Sequence, residues 1–528
     1  MFKMSCAHSL DTDMSVAAAS LADQALADLD GHSPQAGLVF STFGLDHAEL
    51  LAGLADRLPG CSLLGGSSYG ETSRDAGYRL GSSLLILFAS DTVAIRSGVV
   101  RDLTAEDEAA NFLIAARELE AVRNTPDPPC LCLLFPDGMS LDGDAVVRVF
   151  GSLLPRTSLF GGATAENFRL NGTCQFFERE ILQRSVPYIL FSGPLRYSWA
   201  VTEGLSAGWR PVSARLDATC DGNRIKTIER ETAFGYLSSR YPLDHGYWSL
   251  IHPVAVYPDP QSEQHSLRDV IRYDDKCGSL ESLQGLPSTC QIQFTQPDPD
   301  AILLAARRNL QQALTRYPDL ASPAGALWFS SASRALVLKQ HPESEYRKAT
   351  ELLTPSLAIA GFYTYGEIAP AGPCCEPAYH NCSLMILLLG EEPRPSKGVF
   401  ASQEAISEAN LLQENKRLTE TLKATDARLE RTLAALDDCH VLERLDTHCR
   451  TEQSLFYRAR ALDLLCQLLD TRFEDVRRLA FKGSRPRLNR SGLARLIDAQ
   501  HRRRYEEPFP LSIAHLARLL SPVENTGD

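Results

Sequence analysis

The chain has 528 residues, 44% of them hydrophobic, and a formal net charge of −13. That apolar content excludes global disorder, and the acidic balance excludes a nucleic-acid binder acting through its whole surface. The length leaves room for roughly three or four domains.

The first residues, MFKMSCAHSLDTDMSV, lack the apolar core of a secretory signal. No apolar run approaches the ~18–20 residues that span a bilayer. A cytoplasmic protein without membrane contact is therefore expected. The 14 Cys are scattered, some in strand-like runs such as CLCLLF at 130–135. In that setting they are expected to be reduced.

Along the chain, apolar residues at three- and four-residue steps predict a helix in DMSVAAASLADQALADL at 13–29. A short apolar strand follows in AGLVFSTF at 36–43, then a helix in HAELLAGLADRLP at 47–59. Next comes CSLLGGSSYGE at 61–71, an apolar run that ends in Gly, hydroxyl residues and Glu, and then a strand in LGSSLLILFA at 80–89. The same order recurs. The second copy has a helix at 105–122, a strand at 129–138, a helix at 144–155, the motif TSLFGGATAE at 157–166 and a strand at 186–193. The third has a helix at 299–314, a strand at 324–334, a helix at 345–355, the motif SLAIAGFYTYGE at 356–367 and a strand at 380–390. This is α/β material built from internally repeated α-β-α-β-β units. The segment from about 195 to 298 carries extra strands and stands outside the repeat.

After GEEPRPSKG at 390–398, whose prolines suit a linker over 392–400, the pattern changes. Leu411 and Leu418, with Leu422, Leu429 and Leu436, form two interleaved seven-residue series. A coiled coil over 401–438 is expected, with a homodimer through 401–436; a solvated helix packed on its own domain is the alternative. Residues 439–528 read as a basic, all-α module. Its HRRRYEEPF at 501–509 offers cations to an acidic partner, but Glu506 and Glu507 blunt the field, so nucleic acid is not the expected partner.

The motif turns are the leading pocket walls. Ligands in α/β sheets favour strand ends, and Gly lets main-chain N–H groups approach closely. Ser68, Thr164 and Thr364 supply hydroxyls, and Glu71, Glu166 and Glu367 supply carboxylates. Those carboxylates could hold an ammonium group or bond to their own loops. Arg334, at a strand end, could take a ligand carboxylate or pair with a Glu; Tyr363, His380 and Asn381 lie beside it in the third copy. GGSSYG also fits the nucleophile-elbow spacing at Ser68, but no helix follows it and no Asp/His pair stands out. No catalytic set is expected. CCEPAYHNC at 374–382 lacks zinc-ligand spacing.

Taken together, LLGGSSYGE at 63–71, FGGATAEN at 160–167, GLSAGWRPVSA at 204–214, YPLDHG at 241–246, RDVIRYDD at 268–275, ALWFSSASR at 326–334, IAGFYTYGE at 359–367 and YHNCSL at 379–384 resemble the FIST-domain signal transduction proteins. The resemblance implies an N-terminal helix over 1–35, a FIST N-terminal sensory domain over 36–232 and a FIST C-terminal sensory domain over 233–391. It implies a sensory body that binds a small ligand, amino-acid-like or similar, and passes a signal through the coiled coil to a partner such as a histidine kinase. A subset of the family is similar to haem-binding nitric-oxide sensors, for which His245, His252 and His380 are the candidate axial ligands here. One departure is visible: the family often has Cys where this chain has Ser331.

Overall fold

The computed structural model describes residues 1–391, apart from 105–106, 124, 126, 242–250, 319–322, 339–340, 352–356 and 372–375. The expected linker, coiled coil and basic module lie outside the described residues, as does His245.

The helical stretches of the repeat start where an aspartate can satisfy the free N–H groups of a first turn. Asp13, Asp46, Asp107, Asp142 and Asp298 each accept main-chain N–H groups of the helix that follows. The first unit runs β1 (Phe2–Ser9), α1 (Met14–Asp28), β2 (Ala36–Thr42), α2 (His47–Arg57), β3 (Ser62–Ser68), a hairpin of β4 (Glu71–Ser73) and β5 (Gly77–Arg79), and β6 (Ser83–Ser90). The second runs β7 (Ala94–Val100), α3 (Glu108–Glu118), α4 (Glu120–Arg123), β8 (Leu131–Leu134), α5 (Gly143–Leu153), β9 (Ser158–Gly162), a hairpin of β10 (Gln175–Phe177) and β11 (Glu180–Leu182), and β12 (Val186–Ser192).

The third unit opens with β13 (Leu195–Val201) and is then interrupted. The insertion holds β14 (Trp209–Pro211), β15 (Leu216–Asp221), β16 (Arg224–Ile228), β17 (Glu231–Thr232), α6 (Ala233–Arg240), β18 (Val254–Tyr257), β19 (Ser266–Arg268), β20 (Val270–Asp274), β21 (Ser279–Ser282) and β22 (Thr289–Pro297), whose nine strands make one sheet. The unit resumes with α7 (Pro299–Arg316), β23 (Gly325–Ser331), α8 (Ala332–Leu338), α9 (Glu343–Thr350), β24 (Ala358–Thr364), a hairpin of β25 (Glu367–Ala371) and β26 (Glu376–His380), and β27 (Leu384–Glu391). Each unit thus begins with an edge strand that precedes the helix.

The three repeat sheets share one plan. Their orders are β1-β6-β2-β3-β10-β11, β7-β12-β8-β9-β25-β26 and β13-β27-β23-β24-β4-β5. The last two strands of each sheet come from a different unit. The hairpin after the first motif pairs with β24 of the third unit, the one after the second motif with β3 of the first, and the one after the third motif with β9 of the second. A two-stranded hairpin is marginal alone, so each is stabilised by extending a neighbour's sheet, and the exchange closes on itself.

Alternation along the strands explains how three sheets make one body. Leu38 and Phe40, Leu133 and Phe135, and Leu327 and Phe329 face a shared core, while Val39, Leu134 and Trp328 face each unit's own helices. At the centre lie Phe40, Phe135 and Phe329, the equivalent residue of each unit. Their rings meet edge to face, 5.3 Å, 6.3 Å and 6.0 Å apart. They mark a pseudo-threefold axis. Among the described residues no helix is long and apolar enough to cross a membrane.

The first Gly of each motif is fixed by the parallel strand beside it. A Cβ on Gly65, Gly161 or Gly361 would lie 2.1 Å from the carbonyl oxygen of Val39, 1.9 Å from that of Leu134, or 1.7 Å from that of Trp328. No side chain fits there without separating the strands.

Phe135→Ala should destabilise the body by about 3–5 kcal/mol in denaturant unfolding. Because the ring touches its counterparts in two other units, hydrogen exchange should speed up in all three sheets together. Loss of protection confined to β7–β12 would contradict the shared core.

Candidate functional site

The parallel pairs β2/β3, β8/β9 and β23/β24 send their carboxyl ends to the same end of the axis, so the three motif turns meet. They lock together through main-chain bonds. Tyr69 N–H donates to the Tyr363 carbonyl (3.1 Å) and Tyr363 N–H to that of Gly70 (2.9 Å). Ala165 N–H donates to Ser67 (2.9 Å), and Ala163 N–H to Gly366 (2.8 Å). These donors are therefore engaged with the neighbouring turn.

The motif carboxylates brace these turns. Glu71 is fully buried and accepts from the hydroxyls of Ser68, Ser82 and Thr42. Glu367, also fully buried, accepts from the hydroxyl of Thr364 (2.7 Å) and from the hydroxyl and N–H of Ser383. Burial pushes both carboxyls up, to about 7 for Glu71 and about 8 for Glu367, against the lowering pull of their hydroxyl donors. Glu166 has a different geometry. It accepts from the N–H groups of Arg169 (2.9 Å) and Leu170 (3.0 Å) and from the Tyr365 hydroxyl (2.5 Å). The bracing role of the second unit falls to Asp137, which accepts from Thr173 Oγ1 and from the N–H groups of Met139, Ser140 and Arg184.

Arg334 is fully buried at the start of α8. Its Nε donates to Glu345 (2.6 Å), Nη1 to the carbonyls of Ala207 and Cys382, and Nη2 to that of Ile302 (3.2 Å). Glu345 also accepts from Ser330 Oγ and the Tyr363 hydroxyl, both at 2.9 Å. The carboxylate facing Arg334 is thus Glu345 rather than Glu367. The guanidinium ties the third unit to the entry of the insertion. Asn381 bonds to Arg268 and to the Tyr365 carbonyl. His380 holds the Ala369 carbonyl with Nε2 (3.2 Å), and His252 the Thr295 carbonyl with Nδ1 (2.9 Å). Burial lowers both imidazoles, that of His380 to about 4. Neither histidine lines the two hollows described next.

A hollow of ≈ 10 Å³ remains where the turns face the inserted sheet, room for about one water. Tyr365, Ser331 and Ser333 form its floor, Phe168 and Leu170 one side, and Asp269, Ile271 and Leu283 of the insertion its roof. Phe168 and Leu170 both adopt left-handed backbone (φ 56° and 54°), as does Cys382 (φ 57°). Such geometry costs of order 1–3 kcal/mol per residue and clusters at ligand clamps and switches. Asp269 is buried with weak partners, the Cys382 thiol (3.1 Å) and Ser333 Oγ (3.4 Å), and burial raises its carboxyl to about 6. Its neighbour Arg268 turns away to Asp144 (2.8 Å). A larger cleft of ≈ 900 Å³ lies elsewhere, between α3, α5 and the β25–β26 hairpin.

The structure therefore brings Ser68 to Glu71, Thr364 to Glu367, and Tyr363 to Arg334 through Glu345. It does not bring Arg334 to a motif carboxylate. Asp269 and Glu345 are not singled out by sequence, and Cys382 is met there only as part of CCEPAYHNC at 374–382 and YHNCSL at 379–384. Asp269 lies inside the quoted RDVIRYDD, where its charge between apolar residues is a weak signal.

Replacing Glu71 or Glu367 by Gln should flatten the pH dependence of the melting temperature. Below the ordinary carboxyl value of 4.5 both protonation states agree; from there to about 7 and about 8 the folded chain holds protons the unfolded chain has lost. Stability from these groups is therefore present at low pH and lost as pH rises. Melting curves between about pH 5 and about pH 8 should show a smaller decline in each variant than in wild type. An equal decline would mean that the carboxyls are ionised throughout.

The family model for the FIST N domain matches residues 35–231, and that for the FIST C domain matches residues 238–370. No curated protein matches the chain.

Proposed function

The chain belongs to the FIST-domain family of signal-transduction sensory proteins, which generally bind ligands, and from that premise we propose that it senses a small ammonium-bearing molecule, amino-acid-like in class. The observation that carries this reading is the buried Asp269 carboxyl over the hollow. It is held by a thiol and a long hydroxyl contact, while Arg268, whose charge reaches it from a distance, bonds its guanidinium to Asp144 and Asn381. A ligand ammonium would supply a direct ion-pair partner. Tyr365, Ser331 and Ser333 would orient the rest of the molecule, and Phe168 would cover its apolar part.

Anything larger than a water requires the inserted sheet or the Phe168–Leu170 loop to move outward. The left-handed backbone of that loop supports such a movement, because its release offsets part of the opening cost. Arg334 would transmit it, since its guanidinium joins the insertion at Ala207 to α7 and α8. The third unit ends in β27, after which the chain enters the proposed coiled coil at 401–438. A coupling of about 1–3 kcal/mol would suffice to switch a partner, such as a histidine kinase, recognised by a homodimer. FIST sensory domains are generally non-enzymatic, and we read the Ser68 hydroxyl as a buried brace for Glu71.

Thermal-shift titration with amino acids and simple amines tests this. Amine ligands should raise the melting temperature of wild type, their deaminated analogues should not, and Asp269→Asn should abolish the shift. A shift that survives in Asp269→Asn, or one given equally by deaminated analogues, would overturn the ammonium reading. A Soret band in freshly purified protein would replace it with the haem reading.

A further inference from the structure

We infer that Cys220 and Cys290 form a reversible disulfide site in the inserted sheet, closed by exchange with a low-molecular-weight disulfide such as oxidised glutathione. The inference is independent of the ligand proposal. The two residues lie on adjacent antiparallel strands, β15 and β22, where Ala218 pairs with Cys290 and Thr219 with Thr289. Cys220 is two residues beyond Ala218, on the same face and diagonal to Cys290. Diagonal neighbours normally stand ~7–8 Å apart at the backbone. Here the sulfurs are 4.0 Å apart.

On the other side of β15 the register against β16 shifts by one between Thr219 and Cys220, with the extra residue, Lys226, on β16. A disulfide needs about 2.05 Å between sulfurs, so closure asks for an approach of about 2 Å, made by side-chain rotation together with a small shift of β15 against β22. Both thiols are free. Among the described residues no other two thiols are in contact.

Exposure divides the roles. Cys290 is buried beside Ile292 and Phe294, whereas Cys220 sits half-buried at the rim of that cluster. The Cys290 contact and burial push the Cys220 thiol up, so its attack on one sulfur of oxidised glutathione, which releases a glutathione thiolate, proceeds through a small thiolate fraction and is slow. Cys290, whose sulfur already touches that of Cys220, then attacks the Cys220 sulfur of the mixed disulfide and expels the second glutathione. Two protein thiols are oxidised to one disulfide, one glutathione disulfide is reduced to two thiols, and the two protons pass to the leaving thiolates. The bond would join β15 to β22, the strand that leads through Asp298 into α7.

The full chain is incubated in glutathione buffers of increasing oxidised fraction, alkylated and mapped by mass spectrometry. A Cys220–Cys290 cross-linked peptide should grow with the oxidised fraction and disappear on reduction. In Cys290→Ser, Cys220 should stop as the glutathione mixed disulfide. In Cys220→Ser, Cys290 should remain a thiol. A stable mixed disulfide on wild-type Cys220, a cross-link to another cysteine, or two alkylatable thiols in fully oxidised buffer would each overturn the inference. If a Ser variant fails to fold, as seen by circular dichroism, the wild-type map alone decides.

Discussion

Everything in the body depends on three phenylalanines meeting on one line. Phe40, Phe135 and Phe329 are equivalent residues on equivalent strands, and each ring packs on the other two. A single unit exposes the inner face of its sheet and could not bury it alone. Three copies around an axis close that face with no remaining gap to cover. The constraint also fixes the outward residues, since alternation sends Val39, Leu134 and Trp328 to the helices once the phenylalanines point inward.

The exchanged hairpins turn this packing into a closed circuit of strand pairing. Each unit completes the sheet of another, so none is whole by itself. The edge strand β13, from the part of the chain matched by the FIST N domain, pairs with β27 beyond the FIST C match. A division into two halves along the sequence is therefore not a division in space. Buried carboxylates suit such a junction. Glu71 and Glu367 tie each exchanged hairpin back to hydroxyls of its own unit, and their raised protonation range follows from burial outweighing those hydrogen bonds.

The threefold plan is broken in the third unit. The third motif carries Phe362 where the others have Gly66 and Gly162, and its ring stacks on Phe40 at 3.9 Å. The third unit alone admits an insertion, and the inserted sheet roofs the end of the axis where the turns converge. Asp269 comes from that roof; Tyr365, Ser331 and Ser333 come from the floor. The proposed site thus lies between an interlocked floor and a roof joined to the rest of the body through Arg268 and Arg334.

The repeat itself was legible in the chain. The helices, central strands and motif strands fall within a few residues of their periodic patterns, because local alternation and aspartate caps dictate them. The extra strands around 195–298 were also visible as a departure from the unit. Residues 2–9 were not, since MSCAHS lacks β-branched residues and becomes a strand only by pairing with β6. The three Gly-to-Glu turns could be recognised as copies, yet their role could not. From sequence, a glycine beside a carboxylate fits a ligand cradle as well as a packed junction. What the chain determined by itself was the unit and its number, because these rest on short-range periodicity and spacing, together with its family, which rests on the resemblance of the quoted motifs. What only the tertiary structure decided was which hairpin joins which sheet, that Arg334 faces Glu345, and that Asp269 stands over the hollow. Those pairings link residues distant in the chain, and no local pattern records which partner a buried charge will find.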